Sequence, residues 1–408
     1  MSLINVWSGA VTHHSATVVA RVTGTRTRLA VADNHTLRGP RFVGPVTPTA
    51  EGVATFQVTG LSPDTRYFYA VEDDGHLDLA RFGRFRTHGP PGEPYSFTFA
   101  HATCAGGNGD TEYPVDGALL PHQVSNHPVY DEICRQDPLF MAHGGDLHYY
   151  NIGDPNFVGD PSPASYRRAF DDVLLGRQGT LFRQVPIQYM WDDHDFGAND
   201  SNSTAPGRLS AAQVYRERVP HYPLAAGDTG TDAVHHSFQV GRVLFLASDI
   251  RYYRDPVTVP SPRTMMGAAQ LAWMDGVLAS SDAELLVWQQ GQDWRVLPGT
   301  STGNWGGYAE ERDAVVQMLG DRGWLDRMFM ITGDSHAMAM DTGGTNRYGG
   351  FPIFMFSPLD SQMTPGPTYD LGRRGSTTGG TRGQWGTVQI DDSGSSIQVT
   401  GHGWWWSA

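Results

Sequence analysis

The chain has 408 residues, more than a single core usually spans, so two domains are expected. Its apolar share of 39% and charged share of 18% exclude a disordered chain, and no run approaches the roughly 20 apolar residues of a bilayer-crossing helix. A net charge of −14, with every one of the 29 basic residues an arginine, argues against nucleic-acid binding, which needs a basic surface, and suits a protein that gathers divalent cations.

The first residues, Met1-Ser2-Leu3-Ile4-Asn5-Val6-Trp7, contain neither a basic n-region nor an apolar h-region. A mature exported chain shorn of its signal reads the same way, so location is left open. Residues 1–88 alternate in short strands at 16–22, 54–58 and 67–71, broken by turn signals such as Asp73-Asp74-Gly75. That pattern predicts a small N-terminal β-sandwich domain. Within it, Gly60-Leu61-Ser62-Pro63-Asp64-Thr65-Arg66-Tyr67 and Phe85-Arg86-Thr87 resemble the strand-turn-strand of fibronectin-type modules. Gly89-Pro90-Pro91-Gly92-Glu93-Pro94 reads as a stiff linker, and residues 95–408 as the second domain.

From Tyr95 the texture changes. Apolar strands at 97–100, 139–142, 187–190, 243–247 and 285–288 recur, with helical stretches at 165–175, 211–218, 268–278 and 309–319. Strand-helix alternation with continuously apolar strands predicts an α/β domain with a covered sheet. Short strands return after Gly349 and end at 396–400, before Trp404-Trp405-Trp406. A final strand burying one or two of these tryptophans is expected, an exposed partner patch being the alternative. Two cysteines make no disulfide framework. Cys104 ends an apolar strand, a position suited to a ligand, whereas Cys134 in a helix-like segment reads as a small buried apolar residue.

The informative feature is where carboxylates fall. Asp146 closes Met141-Ala142-His143-Gly144-Gly145, Asp192 and Asp193 follow Ile187-Gln188-Tyr189-Met190-Trp191, and Asp334 follows Phe329-Met330-Ile331-Thr332-Gly333. Ligands bind beyond the carboxyl ends of strands in open α/β sheets. Two carboxylates ~5 Å apart repel by roughly 3 kcal/mol at an effective dielectric near 20, so several together need cations or protons. The neighbours favour metals. Cys104, Tyr149 three after Asp146, and His336 two after Asp334 add thiolate, phenolate and imidazole. Such a mixed set suits a trivalent or borderline transition metal, and an all-oxygen position suits calcium or magnesium. Two metals bridged by one Asp would activate water and clamp a phosphoryl group.

Other residues read two ways. Arg251 and Arg254, after a buried strand and Asp249, either grip phosphate or pair with a nearby carboxylate. His143 reads as a satisfied core histidine and His148 as a supporting neighbour of the ligands. Asn199-Asp200 either supplies a calcium oxygen or forms an Asx turn. Gly106-Gly107-Asn108-Gly109-Asp110 is either a pocket-lining or a plain surface loop.

Taken in order, Cys104, Gly145-Asp146-Leu147-His148-Tyr149, Trp191-Asp192-Asp193-His194-Asp195 and Gly333-Asp334-Ser335-His336 resemble the PhoD-type alkaline phosphatases. Asn304-Trp305-Gly306-Gly307-Tyr308 with Glu311-Arg312, and Ser248-Asp249-Ile250-Arg251-Tyr252-Tyr253-Arg254, are similar to further segments of that family. The resemblance runs from about Phe97 to Pro358 and implies a calcineurin-like metallophosphoesterase, a two-sheet sandwich flanked by helices behind a small β-domain. It implies iron(III) on Cys104, Asp146, Tyr149 and His336, with Asp146 bridging to calcium bound also by Asp193 and Asp334. It gives His194 contact with substrate oxygen or protonation of the leaving group, oriented by Asp195. Arg251 and Arg254 are candidates for substrate binding by their own position, not by the resemblance. The implied activity is hydrolysis of phosphate esters by a metal-activated hydroxide. A phosphodiesterase of phospholipase D type is the alternative, and a binding protein with a vestigial metal site is a third reading. The family is usually exported through a twin-arginine signal, which these residues lack, and Ala102-Thr103-Cys104-Ala105 departs from the usual Ser-Cys-Gln.

Overall fold

The structure, a computed structural model, describes residues 3–106, 121, 123–299, 303–376 and 382–407. The N-terminal strands are β1 Leu3–Gly9, β2 Ala16–Val22, β3 Thr27–Ala32, β4 Arg41–Val46, β5 Val53–Val58, β6 Arg66–Asp73, β7 His76–Leu77 and β8 Gly83–Arg86. Next come β9 Phe97–Ala102, α1 Val129–Arg135, β10 Met141–His143, α2 Pro163–Val173, α3 Arg177–Gln184, β11 Ile187–Tyr189, α4 Asp193–Phe196 and α5 Arg208–Arg218. The remainder holds β12 His236–Val240, β13 Val243–Ala247, α6 Gly267–Ser280, β14 Leu285–Gln289, α7 Ala309–Asp321, β15 Met328–Thr332, β16 Met338–Asp341, β17 Ile353–Met355, β18 Arg373–Arg374, β19 Gln384–Asp392 and β20 Ile397–Trp405.

Two large sheets face each other. One runs β20-β19-β9-β10-β11-β1-β2-β5 and the other β12-β13-β14-β15-β17-β16-β18. The central strands β9, β10 and β11 are mutually parallel, as are β13, β14, β15 and β17. Nearly all of their residues are buried, which is why they read as largely apolar runs. Between the sheets lies an aromatic layer in which Phe99 stacks on Phe140 at 5.3 Å and Phe245 meets both rings edge-on. Truncating one of these rings to alanine costs about 3–5 kcal/mol. Two further clusters fill the outer faces, one against α1, α2, α3 and α5, the other against α6 and α7. Helix α6 shows the period that drives this docking, burying Gly267, Gln270, Met274 and Leu278.

The N-terminal strands make a sandwich of β1-β2-β5 against β4-β3-β6, with β7 and β8 beside β6, around Val18, Leu29, Phe56, Tyr69 and Phe85. Its first sheet does not stop at the linker. Strand β1 pairs in parallel with β11 through Gly9 and Ile187, so one sheet carries strands from both sides of Gly89–Pro94. Gly9 permits the contact, since a Cβ there would lie 2.4 Å from the Ile187 carbonyl oxygen. At the far edge, β20 leaves Trp404 and Trp405 exposed and Trp406 half-buried against His127, where burial of one or two tryptophans was expected.

Candidate metal centre

The carboxyl ends of β9, β10, β11 and β15 open on one crevice between the two sheets. Just beyond them, three overlapping groups of donor atoms come together: Cys104, Asp146 and His336; Asp146, Asp193 and His194; and Asp192, Asp193 and Asp334, each set within 4.8 Å of one another. Asp146 and Asp193 each belong to two groups. Tyr149 completes the first, with its Oη donating to Asp146 Oδ2 at 2.9 Å and standing 3.0 Å from His336 Nε2.

The backbone bends sharply to deliver these atoms. Cys104, Asp146, Asp334 and His336 have φ of 60°, 53°, 61° and 46°, in the left-handed region that non-glycine residues enter at a cost of roughly 1–2 kcal/mol each. Hydrogen bonds offset that cost: Cys104 N and Ala105 N donate to the carbonyls of Gly145 and Asp146, and the Cys104 carbonyl accepts from Asp360 N and Ser361 N. At Gly145 a Cβ would lie 2.4 Å from Asp192 Cβ, so only glycine lets the two acidic loops touch.

The electrostatics follow from crowding. Burial, and then the charges of Asp193, Asp192, Asp195 and Asp334, push the Asp146 carboxyl well above the usual range. Burial and the charges of Asp192 and Asp193 do the same to Asp334. Cys104 and Tyr149 are likewise pushed up by burial and by Asp146. Against its own burial, Asp193 is held low by Arg251, by His194 and by the Asp200 N–H, which donates to Asp193 Oδ2 at 2.6 Å. These donors fit metal ions: the set is largely buried, with His194, Asp334 and His336 partly open to the cleft, anion-rich and converging, and a cation would restore the charged forms that burial suppresses. His336 is ready for the same role. Its Nδ1 donates to the Gln362 carbonyl at 2.8 Å, which leaves the Nε2 lone pair facing the crevice, and burial lowers its pKa so that the ring stays neutral.

Two expectations are corrected. Asp195 does not orient His194. Its carboxylate accepts from Leu147 N at 2.6 Å, His148 N at 3.3 Å and Asp192 N at 3.0 Å, tying the loop after β10 to the start of α4. Burial nevertheless pushes its pKa up to about 7. The atom that meets His194 Nδ1 is Asn151 Oδ1. Nor do the arginines reach into the crevice. Arg251 is fully buried between Asp192 and Asp193, and Arg254 donates to Tyr308 Oη and the Gly303 carbonyl, each at 3.0 Å. Of the lesser candidates, His143 and His148 are buried, and Asn199 lines the cleft. The loop reading at Gly107–Asp110 lies outside the described residues.

Sequence reasoning missed Asn151 and the segment Gln289-Gln290-Gly291-Gln292-Asp293, whose Gln292 Nε2 donates to Asp192 Oδ2 at 3.4 Å. That segment carried a usable signal, a polar run directly after the apolar strand β14. Asn151 carried none beyond its nearness to Asp146.

Above the donors lies an open cleft of about 460 Å³ lined by His194, Asn199, Asp293, Asp334, Ser335 and His336, with Thr364, Gly366 and Pro367 at its wall. The model of the PhoD-like phosphatase family matches residues 122–365, more than half of the chain and most of this centre. The chain belongs to the PhoD-like phosphatase family. It is therefore a phosphoesterase hydrolase with phosphate-ester substrates. Among solved structures, one described as PhoD superposes with a TM-score of 0.73 at 18% identity, covering 98% of this chain and 90% of that one. Purple acid phosphatase PPD1 from yellow lupin (Lupinus luteus) seeds superposes at 0.62 and 12% identity, covering 95% and 69%. At these identities the likeness speaks for the fold, a metallophosphoesterase sandwich behind a β-rich N-terminal region. No curated protein matches by sequence.

Proposed function

We propose that this PhoD-like chain hydrolyses phosphate esters with iron(III) held by Cys104, Asp146, Tyr149 and His336 and calcium held by Asp146, Asp193 and Asp334. The observation that carries the reading is the overlap of the three donor groups on Asp146 and Asp193. Metal ions bound there would neutralise phosphoryl oxygens and acidify water. The remaining work falls to the chain. Asp146 ties two ligand groups together, His336 is held in its ligating tautomer by Gln362, and Asp195 fixes the two acidic loops relative to one another. His194, on the cleft wall, protonates the departing oxygen.

A specific observation favours diesters over monoesters. The chain has no lysine, all its arginines lie within the described residues, and none of them lines the cleft. Asp293 and Asp334 do. A monoester dianion would meet acidic walls with only the bound metals and His194 to offset its charge, whereas a diester carries one negative charge fewer. The test is to strip the metals and assay an aryl phosphate monoester and the matching diester before and after restoring iron and calcium. Activity that returns only with metal, and is higher on the diester, is expected. Failure to cleave either ester after restoration would overturn the phosphoesterase reading, and a clear monoester preference would overturn only the second.

A further inference from the structure

His194 is gripped by the loop that follows Asp146. The Tyr149 ring stands 4.2 Å from the imidazole, centroid to centroid and tilted by 30°, and Asn151 Oδ1 accepts from His194 Nδ1. Asn151 is itself fixed. It is 6% exposed, its carbonyl accepts from Asp154 N at 3.0 Å, and its φ of 48° lies where asparagine, aspartate and glycine sit with least strain.

An amide oxygen can only accept, so this bond keeps a hydrogen on Nδ1 of His194. The nitrogen left to exchange a proton in the cleft is Nε2.

We propose that Asn151 is a positioning residue that aims His194 Nε2 at the leaving-group oxygen and thereby sets how poor a leaving group the enzyme can expel. This rests on the phosphoesterase reading above. In the step, a water oxygen bonds to phosphorus and its proton passes to solvent. The bond from phosphorus to the leaving oxygen breaks, its electron pair stays on that oxygen, and the Nε2 proton joins it. The imidazole is left neutral with its Nδ1 hydrogen on Asn151, and solvent later returns a proton to Nε2. Nitrophenolate departs without help, whereas an alkoxide needs the proton, so a misaimed His194 harms alkyl esters selectively.

The experiment compares wild type, Asn151→Gly and Asn151→Asp, reloaded with iron and calcium and checked for metal content. Each is assayed on a p-nitrophenyl ester and an alkyl ester of the same phosphoryl group. Glycine removes the acceptor without backbone strain, and aspartate keeps it. Asn151→Gly is expected to lose at least about tenfold in kcat on the alkyl ester and under about threefold on the nitrophenyl ester, with KM unchanged. Asn151→Asp is expected to recover the alkyl rate to within about threefold of wild type. Equal losses on both esters, or an aspartate variant no better than glycine, overturn the proposal. If Asn151→Gly folds poorly, Asn151→Ser, too short to reach the ring, carries the same comparison. Wild type inactive on both esters would instead overturn the phosphoesterase reading and this inference with it.

Discussion

Arg251 and Asp192 form a buried ion pair beneath the crevice, with Nε 2.5 Å from Asp192 Oδ1 and neither side chain more than 2% exposed. Nη2 also reaches Asp193 Oδ1 at 3.3 Å. A guanidinium so placed neutralises the wall of the crevice and has no free edge to offer a substrate. Removing one partner of such a pair strands the other charge.

Arg251→Met is therefore expected to lower folding stability by about 3–5 kcal/mol, read as a drop in the denaturant midpoint. Residual activity should keep a near-normal KM. An unchanged midpoint with a raised KM would restore Arg251 to a substrate-gripping role.

Asp146 sits in two donor groups, whereas Cys104 sits in one. Asp146→Asn should reduce the content of both metals, measured by elemental analysis, and lower the rate by more than about 100-fold. Cys104→Ser should reduce mainly the metal it touches. Near-normal metal content in Asp146→Asn would remove the shared role.

Much of this centre was legible in the sequence because it is written in apolar runs and their polar ends. Strands β9, β10, β11 and β15 are almost wholly buried, so each shows as a largely apolar stretch whose end marks the crevice. What a side chain does after the strand ends is another matter. Asp195 and Asn151 are equally near His194 in kind. Only the turn into α4 and the positive φ at Asn151 decide which one meets the imidazole, and no local pattern encodes either. Arg251 was ambiguous for a similar reason, since whether a guanidinium faces solvent or carboxylates depends on the loop after β11, far away in sequence. The joining of β1 to β11 rests on one close approach at Gly9, invisible without the partner strand.

The crowded carboxylates predict a pH dependence that metal should abolish. Asp146 and Asp334 have their folded-state pKa raised above the unfolded value, so the folded metal-free chain binds more protons than the unfolded one. Their contribution to stability is present below about pH 4, near the unfolded carboxylate value, and is lost as pH rises through the raised values. Metal-stripped protein should thus lose stability progressively from about pH 4 upward, followed by thermal melts across pH. Protein reloaded with iron and calcium should not follow that decline. Parallel curves with and without metal would mean the carboxylates are not relieved by cations.

His88 offers a test remote from the metals. It is buried beside Phe140, and neither ring nitrogen has a hydrogen-bond partner among the described residues. Burial, with a smaller effect from His13, lowers its pKa to about 3. Here the folded pKa is depressed, so the unfolded chain takes up the proton first. Stability tied to this group is present above the unfolded value of about 6.5 and is lost as pH falls towards 3, by up to about 5 kcal/mol. His88→Leu removes both the titration and two unsatisfied nitrogens from an apolar site, so it should raise the melting temperature at pH 5 clearly more than at pH 8. An equal shift at both values would show that the histidine is not held neutral. A fall at both would show that the two nitrogens find partners in the folded protein.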